Sequence, residues 1–288
     1  MAREPSPTVS RRRLAAELRR LREDAQKTGT QVAQVLDGSS SKISRMEKAQ
    51  VIAHKDDVAL LADFYDVSPS ARAALLALAE ESEGKGWWEA FGDSLNESYM
   101  SYIGLEAGAD SMLTWQNVTV PGLLQTVDYA RSVIGLGHSL SAIPPAEVER
   151  LVRVRMRRQQ MLEGPSPLVV NALIDESVLH RRFGTPEVMR DQLRHILEVA
   201  QLPNVSVRIV PLDGPHGPLT HAFVLLKFPS REGLDSMHED LVYFEHATGA
   251  VFEERYAETY RVEQLFRQMS ADALSEEDSL KLLGELGR

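Results

Sequence analysis

Hydrogen-bonding and cationic side chains are concentrated in one short stretch of the sequence, residues 28–47. The hydroxyl groups of Thr28 and Ser39 predict two helix N-caps, and the Asp37–Gly38 pair predicts a tight turn between the helices. The second helix needs to bury only Ile43 and Met46, which lie three residues apart on one face. Its outward face then carries polar or basic residues, namely Ser40, Ser41, Lys42, Ser44 and Arg45. A short helix of this kind fits the major groove of DNA.

Three further helices are predicted around this pair from apolar periodicity and capping residues. Their predicted bounds are 11–26, with Ser10 as the cap, then 56–65, and 69–78 after the Ser68 cap. Residues 11–80 are therefore predicted to form an all-α five-helix domain. Residues 1–10 contain two prolines and few apolar side chains, which predicts a disordered arm. The run Arg11–Arg13 is typical of a solvated helix start and is also placed to touch phosphates.

Residues 11–79 resemble the helix-turn-helix of the lambda/434 Cro repressor group, the XRE class of bacterial regulators. The resemblance depends on Thr28, Val32, Ala33, Leu36, Ser39, the run Lys42–Arg45 and Glu47. It implies a lambda-repressor-like fold for this domain. Carried over position by position, it implies that Ser40, Ser41 and Arg45 read bases and that Thr28, Gly29 and Lys42 lie near phosphates.

Two alternatives stay open for the same residues. The first is an ordinary helical hairpin whose polar face is solvated. The second is a helix-turn-helix that folds but binds DNA weakly, because Ala49 stands where the family usually has glycine, and a left-handed cap without glycine costs about 1 kcal/mol. Val51 and Ile52 also stand where relatives often carry polar residues near the DNA backbone. Gln26–Lys27 replaces the usual Gly-Leu before the second helix.

Charge is distributed unevenly along the chain. The whole chain has a formal net charge of −10, yet residues 1–50 hold 11 Lys and Arg against 6 Asp and Glu, a net of +5. Residues 51–288 therefore carry −15. DNA affinity depends on local cations that neutralise phosphates, so the N-terminal end is expected to meet DNA while the acidic remainder faces away.

Composition limits the remaining possibilities. The absence of cysteine excludes disulfides, thiolate metal sites and a cysteine nucleophile. No apolar run approaches the ~18 residues that span a bilayer, and the N-terminus has no apolar export signal, so a cytoplasmic location is expected. No phosphate loop, nucleophile elbow or metalloprotease motif is present, and no enzyme activity or cofactor is expected. Glu176 and His180 lie four residues apart, but a surface pair explains them better than a metal site does.

The C-terminal two-thirds is predicted to form an α+β domain over residues 97–288, joined by a linker and inter-domain segment at 81–96. Continuously apolar or alternating runs predict strands at 168–174, 205–211, 221–228 and 241–245, with mostly antiparallel pairing. A helix is predicted over Leu105–Trp115. With the N-terminal domain, the overall class is multidomain, an all-α domain followed by an α+β domain.

This second part resembles the C-terminal domain of unknown function that follows an XRE helix-turn-helix in many actinobacterial regulators, the WhiJ-like family. The matching stretches are Trp87–Trp88, Tyr102–Glu106, Val120–Thr126, Asp128–Arg131, Arg155–Gln159 and Asp175–Leu179. The resemblance implies a transcription factor with a small BldB-like protein partner, sometimes described as antitoxin-like. It implies no known ligand.

Two features of the second part are candidates for partner or ligand binding. The helix 150–158 is the main basic island, and Arg153, Arg155 and Arg158 are placed to receive an acidic partner or DNA backbone. Internal ion pairs, for example with Glu147 and Glu149, explain the same arginines equally well. Trp87 and Trp88 predict either a binding surface or packing between domains.

The sequence thus predicts a DNA-binding transcriptional regulator in which helix 40–47 enters the major groove. Because one such helix covers only a few base pairs, we expect a homodimer on two half-sites. Two alternatives are a small-molecule sensor with an apolar pocket walled by strands and Trp87–Trp88, and an antitoxin-like protein-interaction module.

Overall fold

The computed structural model describes residues 5–137, 144–214, 220–231, 233–234, 240–246 and 249–288. Its N-terminal region is helical. The helices are α1 (Pro7–Asp24), α2 (Gly29–Val35), α3 (Ser40–Met46), α4 (Lys55–Phe64) and α5 (Pro69–Ser82). Side chains at Thr28, Ser39 and Ser68 cap α2, α3 and α5. These helices share one apolar core, which includes Leu14, Leu18, Val32, Ile43, Met46, Leu61 and Leu78.

The first helix starts earlier than the sequence pattern predicts. It begins at Pro7 rather than Arg11. The prediction of a disordered arm over residues 1–10 is therefore wrong for residues 7–10, which are helical. Residues 1–4 lie outside the described part. Ser10 is therefore not a cap but a buried residue inside α1. The reason is tertiary, because Ser6 and Val9 are buried where this first turn meets the C-terminal domain.

The C-terminal domain is built on a six-stranded mixed sheet in the order β3-β2-β1-β4-β5-β6. The strands are β1 (Ser111–Gln116), β2 (Val169–Asp175), β3 (Val205–Val210), β4 (Phe223–Lys227), β5 (Leu241–His246) and β6 (Gly249–Glu253). β1, β2 and β3 pair in parallel, whereas β4 pairs antiparallel with β1 and with β5, and β5 pairs antiparallel with β6. The pairing therefore changes from parallel to antiparallel at β1.

Helices cover both faces of this sheet. They are α6 (Glu97–Gly108), α7 (Val127–Gly137), α8 (Pro145–Arg158), α9 (Glu176–His180), α10 (Pro186–Val199), α11 (Tyr256–Asp272) and α12 (Glu276–Leu286), with 3-10 turns at Trp87–Ser94, Gly122–Leu124 and Gln159–Leu162. Residues alternate between faces along each strand, so Met112 joins the larger core and Trp115 joins the core beneath α11. No helix among the described residues combines the length and apolar character that crossing a membrane requires.

One helix prediction is wrong. The segment Leu105–Trp115 was expected to be helical, but α6 ends at Gly108 and β1 begins at Ser111. The apolar residues of 111–116 pack on alternating faces of the sheet, and backbone pairing to both β2 and β4 stabilises the extended conformation. A short apolar run does not distinguish a central strand from a helix by periodicity alone, so neighbouring strands decide the outcome.

The two domains are in direct contact through α1 and α5. Glu81 on α5 accepts hydrogen bonds from Arg231 and from Ser10, the latter at 2.7 Å. Arg12 pairs with Glu254 and lies over the Phe252 ring at 5.3 Å. These contacts join the cationic first half of α1 to the sheet domain.

Candidate functional site

The outer face of α3 is exposed, as the sequence pattern predicts. Ile43 and Met46 point into the core with 2% and 1% of their surfaces exposed, and Ser39 caps the helix by accepting a hydrogen bond from Lys42 N at 3.2 Å. Ser40, Ser41, Ser44 and Arg45 are exposed in consequence. No contact with the C-terminal domain covers them among the described residues.

An ion pair holds the end of α3 against α1. Glu47, which ends α3, accepts from Arg22 Nε at 2.7 Å and from Arg22 Nη2 at 2.9 Å. Both side chains are largely buried, and the hydrogen bond to Glu47 raises the pKa of Arg22. A two-point pair of this geometry fixes direction as well as distance, so α3 has a defined orientation relative to α1.

The basic surface is narrower than the net charge of residues 1–50 implies. Arg12 pairs with Glu254, Arg13 donates to the Pro229 carbonyl, and Arg11 donates to the Ser82 and Gly84 carbonyls. The side chains of residues 11–13 are therefore engaged by the C-terminal domain and its boundary. Arg19, Arg20, Arg22 and Lys42 also pair with carboxylates. Lys27, Arg45 and Lys48 lie on or beside the α2–α3 unit and make no ion pair with a carboxylate among the described residues.

The predicted phosphate-contact residues have different surroundings. Thr28 and Gln31 form a reciprocal cap, with Thr28 N donating to Gln31 Oε1 at 2.9 Å and Gln31 N donating to Thr28 Oγ1 at 3.3 Å. Gly29 faces open space. The Lys42 ammonium lies 2.7 Å from Asp57 Oδ2, so a phosphate would have to compete with this carboxylate.

The structure shows the surroundings of three residues that depart from the XRE-type sequence pattern, Ala49, Val51 and Ile52. Ala49 has a φ of 55°, the left-handed conformation that favours glycine. Val51 packs against the apolar core of the helical domain, which accounts for an apolar side chain at that position. Ile52 is half-buried.

The arginines of α8 do not form one surface. Arg158 is buried and paired with Glu106, while Arg153 is exposed. Arg155 is half-buried and donates to Gln125 Oε1 at 2.8 Å. Internal pairing thus accounts for Arg158, whose partner Glu106 lies on α6, and Glu149 of α8 pairs with Arg131.

The two tryptophans do not form a joint binding surface. Trp88 is 5% exposed and belongs to the core of the C-terminal domain. The side chain of Trp87 is covered on one face by Arg157, whose guanidinium lies 4.7 Å from the ring centre. Packing of the 3-10 turn against the domain explains both positions.

The C-terminal domain contains a polar cleft, which neither tryptophan lines. Its polar lining includes Glu106, Thr114, Gln116, Gln125, Arg155, Arg158 and Glu245, and its apolar lining includes Met112, Val120, Leu123, Val170 and Val224. The sequence predicted an apolar pocket walled by strands and by Trp87–Trp88. This cleft is lined by strands, as in that prediction, but not by the two tryptophans, and much of its lining is polar. The cleft lies at the carboxyl end of β1.

A buried polar network beside this cleft was not predicted. Glu106 accepts from Arg158 Nε and Nη2, both at 2.6 Å, and from the Tyr102 hydroxyl at 2.7 Å. Burial raises the pKa of Tyr102, and the adjacent Glu106 carboxylate adds to the effect. Burial alone would lower the pKa of Arg158, but Glu106 reverses the effect and holds it well above the ordinary value. The signal in the sequence was the polar pair Tyr102 and Glu106, four residues apart on an otherwise apolar helix face.

No group of three or more metal-binding side chains occurs in the described ranges. His180 and Glu176 lie 3.4 Å apart at the surface, and Glu176 also accepts from Leu212 N at 2.8 Å.

Family models match both parts of the chain. A helix-turn-helix domain model matches residues 13–75, and the model of a domain of unknown function, DUF5753, matches residues 99–285. No curated protein and no solved structure matches the chain. The two matched regions coincide with the helical domain that presents α3 and with the sheet domain that holds the cleft. Because the DUF5753 model matches more than half of the chain, the chain belongs to the DUF5753 family.

Proposed function

We propose that the protein is a sequence-specific, XRE-type transcriptional regulator with a lambda-repressor-like DNA-binding domain. The observation that carries this proposal is the outer face of α3, where Ser40, Ser41 and Arg45 are exposed on a helix held by buried Ile43, Met46 and the Arg22–Glu47 pair. In the proposed complex α3 lies in the major groove, and these three side chains contact base edges. The helix-turn-helix family match supports the same function.

The proposed assembly is a homodimer in the cytoplasm. A single recognition helix contacts only a few base pairs, so two copies would bind half-sites about 34 Å apart, one turn of DNA. The C-terminal domain would supply dimerisation. The family resemblance also implies a small BldB-like partner and an antitoxin-like role, and both are part of this proposal. If such a partner binds the C-terminal domain, this domain would also regulate DNA binding.

Regulation by the C-terminal domain has a physical route through α1. The first turn of α1 packs on α6, and Ser6 Oγ donates to the Gly104 carbonyl. About four turns later the same helix holds α3 through Arg22 and Glu47. We infer that a change in the packing of α6 alters the orientation of the reading helix, because α1 is continuous between the two contacts.

The test compares Arg45→Ala with Arg72→Ala on DNA fragments selected from genomic DNA by the purified protein. Arg72 is a partly exposed arginine of the same domain, but it lies on α5 and pairs with Asp63. We expect Arg45→Ala to weaken binding to the selected fragment by ~1–3 kcal/mol and to reduce the preference over random DNA, because it removes a base contact. Arg72→Ala should change neither.

Unchanged affinity of Arg45→Ala for selected and random DNA alike would show that α3 is not the reading helix. Equal losses for both variants would indicate a general electrostatic effect instead of base recognition.

A further inference from the structure

The polar cleft lies at the point where the sheet changes from parallel to antiparallel pairing. Its floor includes Thr114 and Gln116 of β1 and Val224 of β4, and residues 119–125, which follow β1, form one wall. Open sheets that combine strands and helices bind ligands at the carboxyl ends of strands, where the strand order reverses. The cleft volume is about 110 Å³. At ~10–15 Å³ for each water molecule, this is room for a ligand of roughly seven to eleven non-hydrogen atoms.

One of the two arginines in the cleft is already neutralised. Arg158 makes two hydrogen bonds to Glu106 and a third to the Tyr99 hydroxyl at 2.7 Å. Its side chain is 5% exposed and that of Glu106 is 0% exposed. A buried pair with this many contacts serves to hold α8 against α6 and has little capacity left for a ligand.

Arg155 is different, because no carboxylate pairs with it among the described residues. Its Nη1 donates to Gln125 Oε1 at 2.8 Å, but its Nε is buried and has no hydrogen-bond partner in the described structure. A buried donor without an acceptor costs about 1–3 kcal/mol, so the contacts of Arg155 within the described residues leave its guanidinium incompletely satisfied. The planar guanidinium of an arginine matches the two oxygens of a carboxylate.

The wall that carries the Arg155 contact is rigid. Gln125 is 2% exposed, and its amide nitrogen donates to the Val120 carbonyl at 2.7 Å, which fixes its oxygen toward Arg155. Gln159 donates to the Gln125 carbonyl at 2.6 Å, and Gln192 donates to the Leu124 carbonyl at 2.6 Å. Side chains thus satisfy the backbone of a loop that has no strand partner, and a preorganised site loses less entropy on binding.

The other lining groups limit the class of ligand. Tyr99, Tyr102, Val224 and Tyr243 provide aromatic and aliphatic surface for an apolar body. Glu245 also lines the cleft and is exposed, so a second negative charge on the ligand would be repelled. A nucleotide or another polyanion is therefore disfavoured.

We propose that this cleft binds a small organic monocarboxylate, with Arg155 as the anchor for the carboxylate and the tyrosines around the apolar body. The proposal is independent of the DNA-binding function, since none of these residues belongs to the helix-turn-helix domain.

The test uses the full chain, with benzoate and hexanoate as probes and benzamide and hexanamide as their neutral counterparts, in isothermal titration calorimetry. We expect the carboxylates to bind at least about tenfold more tightly than the amides, because a charge-assisted two-point contact is lost in the amide. Arg155→Gln should weaken carboxylate binding by about tenfold or more and leave amide binding unchanged. Arg153→Gln, two residues away on the exposed side of α8, is the matched control and should bind like the unmodified protein.

Three results would overturn the proposal. The first is no binding of either carboxylate at millimolar concentration, which would mean that the cleft holds water only. The second is equal affinity for carboxylates and amides in the unmodified chain, a comparison that does not depend on the folding of any variant. The third is an equal loss in Arg153→Gln, which would indicate nonspecific attraction to the basic helix.

Discussion

Arg22 of α1 and Glu47 at the end of α3 face each other as a two-point ion pair, with N–O distances of 2.7 and 2.9 Å. The side chains are 19% and 10% exposed, so solvent screens this pair less than it screens an exposed pair of α1 such as Arg19–Glu23. The pair lies directly behind the helix whose outer face is proposed to read DNA. It therefore connects the stability of the domain with the orientation of its reading surface.

Replacing Arg22 with glutamine should lower the free energy of unfolding by about 1–3 kcal/mol, because Glu47 would remain partly buried without its cation. Urea unfolding of the full chain measures this change. Arg19→Gln is the matched control, since Arg19 lies one turn earlier and its pair with Glu23 is exposed. A loss below about 0.5 kcal/mol is expected there. Equal losses in the two variants would show that burial of the Arg22 pair has no energetic consequence.

Ala49→Gly should stabilise the helical domain by about 0.5–1 kcal/mol, because Ala49 holds a φ of 55° that glycine adopts without strain. The midpoint of thermal unfolding should rise accordingly. The control is Ala73→Gly, at an exposed position inside α5, where glycine should instead destabilise by ~1 kcal/mol. If both substitutions destabilise, the left-handed strain assigned to Ala49 is absent in solution.

Acid should weaken the contact between the domains through Glu81. Burial alone would raise the pKa of Glu81, but hydrogen bonds from Arg231 and Ser10 outweigh it and hold the pKa below its ordinary value near 4.5. A carboxylate with a lowered folded-state pKa contributes stability above its unfolded pKa and loses it as the pH falls through the folded pKa. The contribution is therefore complete at neutral pH and decreases below about pH 4.5.

The measurement is the free energy of unfolding between about pH 7 and pH 3. Glu81→Gln should show a shallower decrease on acidification than the unmodified chain, since glutamine does not titrate. Glu80→Gln removes the adjacent exposed carboxylate, which pairs with Lys55 and not with the C-terminal domain, and is the matched control. If the free energy of unfolding had the same pH slope in all three proteins, Glu81 would not contribute to the acid sensitivity of the contact between the domains.

Gly104→Ala should disturb the contact between α6 and α1. A Cβ atom at this position would lie 2.2 Å from Thr8 Oγ1 and 2.6 Å from Thr8 Cβ, so one helix must move. We expect a loss of about 1–3 kcal/mol in stability, as for other overpacked sites. Gly135→Ala on α7 adds a methyl group in open space and should be neutral or stabilising. A neutral Gly104→Ala would mean that α1 and α6 are not docked as described.

Much of the helical domain follows from local sequence. Thr28 and Ser39 act as caps, Asp37–Gly38 ends α2, and Ile43 and Met46 are the buried side of α3, each as the spacing of residue types predicts. These features depend on groups within a few residues of each other, which is why the pattern is sufficient. The start of α1 was missed because its first turn is stabilised by α6, about one hundred residues away.

The candidate cleft was only partly predictable. The stretches Tyr102–Glu106 and Val120–Thr126 stood out as motifs, and the arginines of α8 stood out as a basic island. Their roles differ because burial differs. Arg158 faces a buried carboxylate, Arg155 faces the cleft and Arg153 faces solvent, although all three lie within six residues on one helix.

The sequence by itself determined the order of the domains, the N-terminal excess of positive charge and the serine-rich, basic face of α3, because these depend on composition and on short-range helical geometry. Only the tertiary structure decided which cations remain available and which are neutralised. Residues 11–13 contact the C-terminal domain and its boundary, while Arg45 keeps its guanidinium without a carboxylate partner among the described residues. An ion pair or a cleft requires atoms from distant segments to lie within a few ångströms, and that proximity is set by the packing of helices and strands.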